Sequence, residues 1–254
     1  MKTTKLVVAL VLASCLIQSS GLNAQPNDRS QQPNNRSQQP NNPTQIRTEK
    51  VGRFVPPPLP DRGVPRGRRK GAASRTALRS CPLRVFNLTA LVPEIEKNKP
   101  WGLTFAEHPT FWVFIPALPG EVSSAEFVLQ DEEDRDVYRT QLVLPATSEI
   151  MRIDLPDLPQ YSLEIDKSYR WTFRIFCAPQ QQSYYVSVDG IVKRVAKNDS
   201  NVNSVWYDIL TDLANRRLAA PEDIQLRDDW AQLMRQIDLE ELAETDLLPC
   251  CEPN

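Results

Sequence analysis

Between residues 83 and 197, apolar residues alternate with polar ones in short runs broken by Pro, Asp and Gly; after residue 203 the period lengthens to that of a helix. This switch is the strongest constraint on the fold, because a period-two run presents one apolar face only when it is extended. The clearest strands fall at 110–115, 125–130, 137–144, 150–155, 169–177 and 184–195. In the fifth, Tyr169, Trp171, Phe173, Ile175 and Cys177 point one way while Arg170, Thr172 and Arg174 point the other. That pattern marks a central strand with an aromatic face in the core. The lengths and spacing predict a mainly β body, an antiparallel Ig-like β-sandwich over 83–197.

Past that body, Trp206, Leu210, Leu213 and Ala214 follow helical spacing, as do Leu226, Trp230, Leu233, Met234 and Ile237. Pro221 separates the two stretches and Asp223 is placed to cap the second. A short third helix is expected over 239–245. Residues 203–248 therefore read as a C-terminal α-helical hairpin whose apolar stripe is buried on the sandwich, followed by a tail at 249–254.

The first 60 residues carry no such pattern. Lys2 and Lys5 precede an apolar run over 6–17 that ends in small and polar residues, the form of a secretory signal peptide. The run is too short to cross a bilayer as a stable helix. Cleavage after Ala24 gives residues 1–24 as the signal; Leu12-Ala13-Ser14-Cys15 is the competing lipoprotein box, with a lipid anchor on Cys15. Residues 25–60 form an Asn/Gln/Pro-rich tether in which Arg-Ser-Gln-Gln-Pro-Asn-Asn occurs twice, at 29 and at 36, too polar to bury a core. The chain is expected to be exported to the periplasm or the extracellular space, or held in the envelope as a lipoprotein. No later apolar run reaches membrane-spanning length, so no transmembrane segment is expected.

Charge is unevenly spread, although the net value is only −2. Residues 47–84 hold 11 Lys/Arg against 2 Asp/Glu, and residues 205–254 hold 4 Arg against 12 acids. The two regions can attract each other, or stand apart as two solvated surfaces. Within 61–82, the basic arm contains Arg62, Arg66, Arg68, Arg69 and Arg75 among glycines, with Val64 its single bulky apolar residue before Leu78. Gly permits close backbone approach, and guanidinium offers bidentate donors to carboxylate, sulfate or phosphate. In an exported protein the anion is expected to belong to an envelope protein or an anionic polysaccharide rather than to nucleic acid. The structural alternative docks the same arginines on the protein's own acidic surface.

Four cysteines remain once Cys15 is set aside, allowing three pairings. Cys81 with Cys177 is the attractive pair, because it ties the arm to the inner face of a core strand. Cys250 and Cys251 are adjacent, and can pair with each other, cross-link two chains or stay free. A four-thiolate zinc site needs short-spaced pairs on both sides and has only one here, so neither metal nor cofactor is expected.

Signals of catalysis are few. His108 is the only histidine and stands just before an apolar strand, where a turn or surface role is the ordinary one. No Gly-x-Ser-x-Gly elbow, zinc-protease helix or phosphate-cradling Gly loop occurs. Asp131-Glu132-Glu133-Asp134 could lend a carboxylate to a glycosidase pair with Glu107, but four acids followed by Arg135 and Asp136 suit a solvated hairpin turn. Asn87-Leu88-Thr89 has the form of a glycosylation sequon.

Several blocks also carry a family likeness. Arg62-Gly63-x-Pro65-x-Gly67-Arg68-Arg69 with Ala73-Ser74-Arg75, then Leu88-Thr89-Ala90-Leu91-Val92-Pro93, resembles the opening of the domain of unknown function 928 family. The likeness continues through Pro109-Thr110-Phe111-Trp112, the run from Ala125 to Glu132, Tyr169-Arg170-Trp171 and Trp206-Tyr207-Asp208. It implies an exported protein of mainly cyanobacterial distribution, places Cys81 and Cys177 where the family carries cysteines, and brings no activity with it. Residues 197–204 look shorter than the family's helical insertion before the Trp-Tyr block, and the Cys250-Cys251 tail looks peculiar to this chain. The combined expectation is a non-enzymatic envelope or extracellular interaction or scaffold module that meets an anionic partner through its arm. A carbohydrate-active hydrolase and a purely structural arm are the alternatives.

Overall fold

The structure, a computed structural model, describes residues 53–60, 63–73, 81–120, 122, 124–178 and 183–248. The signal, most of the tether, Arg62, Arg75, Cys15, Cys250 and Cys251 lie outside the described residues.

The protein is mainly β, with two sheets and two C-terminal helices. In chain order the strands are β1 (Ala72–Ala73), β2 (Thr89–Ala90), β3 (Glu94–Glu96), β4 (Lys99–Thr104), β5 (Thr110–Ile115), β6 (Ser124–Gln130), β7 (Asp136–Val143), β8 (Glu149–Asp154), β9 (Ser168–Phe176), β10 (Tyr185–Arg194) and β11 (Leu247–Leu248). One sheet runs β3-β4-β10-β9-β6-β7, with β1 also pairing to β10; the other runs β11-β8-β5-β2. The six strands expected from alternation are present with ends within one residue of their predicted bounds; β9 buries one face in alternation, whereas β5 and β6 are buried at nearly every position.

The inner faces of the two sheets meet through aromatic rings. Phe111 of β5 lies 5.0 Å from Phe127 of β6 and 5.5 Å from Trp171 of β9, centroid to centroid. On β9, Tyr169, Trp171, Phe173 and Ile175 are buried while Arg170, Thr172 and Arg174 are partly exposed, the alternation expected for this strand.

An all-antiparallel arrangement is not what forms. β10 pairs with β4 in parallel, Ile191 opposite Trp101 through Arg194 opposite Thr104, and β11 pairs with β8 in parallel. Alternation reports which face is buried and says nothing of strand direction. Partners joined by a long connection can be delivered either way. β4 itself escapes the alternation signal because Lys-Pro-Trp-Gly-Leu-Thr is buried at nearly every position. Its Gly102 is required by packing: a Cβ there would meet the Tyr207 ring at 3.0 Å and Trp206 Cβ at 3.1 Å.

Those two residues open helix α1 (Trp206–Ala219), which is followed by α2 (Ile224–Arg235). Asp223 caps α2, its carboxylate accepting from the backbone N–H groups of Gln225 and Leu226. Where a third helix was expected there is a single 3-10 turn, Glu240–Leu242, before the chain joins the smaller sheet as β11. The stripes of both helices share one core with the sheets: Trp206, Leu210, Leu213, Trp230 and Leu233 are all buried. Trp206, Trp171 and Tyr207 find partners across this contact, whereas the Trp230 indole N–H meets no acceptor among the described residues. Trp206 Nε1 donates to Leu91 O at 2.8 Å, Trp171 Nε1 donates to Tyr207 Oη at 2.7 Å, and Tyr207 Oη donates to Ile191 O at 3.1 Å.

Candidate functional site

The arm is built into the sheets by backbone hydrogen bonds. Gly67 N–H donates to Asn98 O, Asp189 N–H to Arg68 O, Ala90 N–H to Arg69 O and Gly71 N–H to Leu88 O, all within 2.7–2.9 Å. β1 then pairs with Ser187 and Val186 of β10. An extended chain held this way sends successive side chains to opposite faces. Arg66, Arg68 and Lys70 are exposed, whereas Gly67 and Arg69 are buried.

Arg69 faces inward and leaves the surface. Its Nη1 donates to Ile237 O just past the end of α2, and its Nη2 lies 3.8 Å from Glu94 Oε2. Next to it, Lys70 Nζ meets Glu241 Oε1 at 3.1 Å. The basic arm and the acidic C-terminal region are therefore in contact within one molecule.

Arg66 and Arg68 face outward, and their guanidinium groups make no hydrogen bond or ion pair within 4 Å among the described residues. They line a cavity of about 540 Å³ together with Gly67, Asn98, Arg170 and Asp189. Arg170 comes from the outer face of β9; its Nη1 donates to Asp189 Oδ2 at 2.7 Å and to Arg66 O at 3.3 Å. Burial pushes the Asp189 carboxyl above its ordinary value, while Arg170 and Arg68 act in the opposite direction. Gly67 is what allows this approach: a Cβ would fall 2.7 Å from Asp189 Oδ2 and 2.8 Å from Pro100. Arg170 and Arg68 thus act on one carboxylate, and Arg66 lines the same cavity, a donor set with capacity for a further oxyanion. Of the residues lining this cavity, Arg66 and Arg68 belong to the arm singled out in the sequence, whereas Arg170 and Asp189 reach it from β9 and β10 and were not singled out. The available sequence signal was a lone acid, Asp189, within the Val-Ser-Val-Asp-Gly-Ile-Val core of its strand.

Cys81 and Cys177 form a disulfide, with Cα atoms 5.0 Å apart, fastening the C-terminal end of the arm to the end of β9.

The residues considered for catalysis fall elsewhere. Glu107 is paired with Arg194 at 2.7 Å, and Asp131 with Arg135 at 2.7 Å. Asp131 also accepts from the N–H groups of Glu133 and Arg135, which makes 131–135 a closed hairpin turn between β6 and β7. Glu107 lines neither of the clefts that Asp131 lines. His108 has neighbours that the sequence did not suggest: Ser162 Oγ lies 3.0 Å from Nε2 and Asp157 Oδ1 lies 3.2 Å from Nδ1. That is the connectivity of a Ser-His-Asp relay. Leu158 O, however, stands 3.1 Å from the same Nε2. A carbonyl only accepts, so Leu158 O and Ser162 Oγ compete for the one ring nitrogen, and a proton shared with the carbonyl leaves no lone pair there for the serine. The N–H groups of Ser162 and Leu163 already donate to Pro159 O and Glu107 O, which removes both as oxyanion donors. In this geometry the trio fastens two loops together.

Among the described residues no group of three or more His, Cys, Asp and Glu is placed to hold a metal ion, and no helix is long and apolar enough to cross a membrane.

The sequence matches the family described as Domain of Unknown Function (DUF928) over residues 70–204 and 200–247. The chain belongs to that family. The match begins at Lys70 and so takes in the end of the arm, both sheets and both helices, including Arg170 and Asp189. No curated protein matches the sequence.

Proposed function

We propose that this is a non-enzymatic interaction module of the cell envelope or extracellular space, with Arg66, Arg68 and Arg170 receiving an anionic group of an acidic protein or polysaccharide. The observation that carries the reading is the cavity in which two outward guanidinium groups, unpaired among the described residues, flank the Arg170–Asp189 pair. The two-sheet body, read as an immunoglobulin-like scaffold, holds the arm rigid, so little order has to be gained when the anion binds. The export signal and the disulfide support an oxidising compartment outside the cytoplasm. Separate placement of Glu107 and Asp131, each with its own arginine, favours binding over glycoside hydrolysis.

Dextran sulfate supplies the test. R66A/R68A should lose most of the wild-type affinity with its melting temperature unchanged, and retention of full affinity would remove these residues from the role. R69A is excluded from that variant, because Arg69 is an internal strap.

A further inference from the structure

Arg170 lines a second cleft as well, of about 560 Å³, on the side of the arm where Val64 lies. Its floor is apolar and aromatic: Val64, Trp101, Tyr169 and Ile191 are all buried lining residues. Trp101 is only 2% exposed, and its indole N–H meets no acceptor among the described residues. The far rim is predominantly acidic, formed by Asp131, Glu132 and Asp134 at the β6–β7 turn and by Asp166 of the turn before β9, with Lys193 the one cation besides Arg170 among the lining residues. Glu132 Oε1 accepts from Ser168 N–H at 3.2 Å, which ties the two turns together. Asp134 is exposed and accepts from Gln130 only through its backbone carbonyl. Asp166 is 76% exposed at its side chain and stands 3.9 Å from Lys193 Nζ, a loose pair of little energetic consequence.

The two cavities share Arg170: Arg66, Arg68 and Arg170 line one, and the other has an apolar floor and a rim where four carboxyl residues, Asp131, Glu132, Asp134 and Asp166, face one cation, Lys193. We infer that the partner is a protein segment of mixed charge, laid across the arm with its acidic residues on Arg66, Arg68 and Arg170 and a Lys or Arg side chain between Asp134 and Asp166. A long cationic side chain suits the second cleft, since its methylenes cover apolar floor while its head reaches the rim. A uniformly anionic polysaccharide would be repelled by that rim. The inference rests on the anion-binding reading and adds to it the chemistry of the second half of the ligand.

The test uses three labelled probes on the whole mature chain: oligo-glutamate, peptides carrying the same Glu run joined through aliphatic spacers of graded length to a Lys pair, and dextran sulfate. At least one mixed-charge peptide should bind about tenfold tighter than oligo-glutamate. D134N/D166N should erase that advantage without weakening oligo-glutamate or dextran sulfate. Asp134 and Asp166 have φ of 60° and 63°, and Asn is at home in that conformation, so the variant keeps both turns. If every mixed-charge peptide binds no better than oligo-glutamate, or D134N/D166N leaves the advantage intact, the inference is overturned while the anion site stands. If none of the three probes binds, both fail together.

Discussion

Arg69 and Ile237 are joined across 168 residues of sequence by one buried hydrogen bond, from the guanidinium of the arm to a carbonyl at the end of α2. Ile237 lies two residues beyond Arg235, the last residue of α2, and its buried carbonyl needs a donor, which the Arg69 guanidinium supplies. The contact also explains why five consecutive arm residues, Arg66 to Lys70, cannot share one role: extended backbone divides them between an inner and an outer face.

That division predicts different outcomes for neighbouring arginines. R69A leaves Ile237 O without its charged donor and Glu94 without its closest cation, and should destabilise by about 2–3 kcal/mol. R66A and R68A act on exposed side chains and should each stay within about 0.5 kcal/mol of wild type. Urea unfolding of the three variants measures this directly. Equal stabilities would mean that the arm is not anchored at Arg69.

The disulfide gives a second, independent anchor at the C-terminal end of the arm. Cys81 and Cys177 close a loop with a sequence separation of 96 residues, and removing such a link costs about 2–5 kcal/mol in small exported domains. C81S/C177S should lower the melting temperature and steepen proteolysis near residue 81. Wild-type protein in reductant should follow the double variant. A reductant-insensitive transition would show that the link contributes nothing to stability.

In the proposed anion site, Asp189 sets the strength of binding. Its carboxylate neutralises part of the field of Arg170 and Arg68, so D189N should bind dextran sulfate several-fold more tightly, with the gain fading at high salt. Asn still offers an oxygen to Arg170, which keeps the guanidinium in place. Burial raises the Asp189 pKa, so protonation during a fall in pH should tighten wild-type binding and leave D189N unaffected. Sulfate esters stay ionised over this range, so the titration reports the protein. Unchanged affinity in D189N would place the bound anion elsewhere on the molecule.

β9 was legible because it buries one face, and Tyr169 to Ile175 show it residue by residue, while β5 and β6 stood out as short apolar runs bounded by turn residues. β4 was not legible, because Pro100 and Gly102 break a pattern that burial on both faces had already removed. β1, β2 and β11 are two residues each and exist only through their partners. The family blocks placed the chain correctly without exposing the site, since a resemblance carries residues and no distances. Half of the site was visible as the Arg-Gly spacing of the arm. The other half, Arg170 and Asp189, required the register that sets Gly190 beside Trp171 and Ile191 opposite Arg170, a long-range fact no local pattern contains.

Asp208 gives the clearest pH signature of the fold. It sits in the first turn of α1, where its carboxylate accepts from Phe105 N–H at 3.1 and 3.3 Å, clipping the helix to the end of β4. Burial raises its pKa above the ordinary 3.8, outweighing the hydrogen bonds from Thr104 and Phe105. A carboxyl with a raised folded-state pKa holds its proton at pH values where the unfolded chain has lost it. By linkage, stability from this group falls as pH rises through the window that opens at 3.8 and extends upward. Asp136 works the other way, because the hydrogen bond from Arg139 lowers its pKa, and wild-type stability alone mixes the two. The difference between D208N and wild type isolates Asp208: Asn keeps an acceptor for Phe105 and cannot ionise. D208N should therefore gain on wild type as pH rises from the acid end of that window to neutrality, measured by urea midpoint at each pH. A difference that stays flat across the window would show that Asp208 is as well solvated in the folded protein as in the unfolded chain.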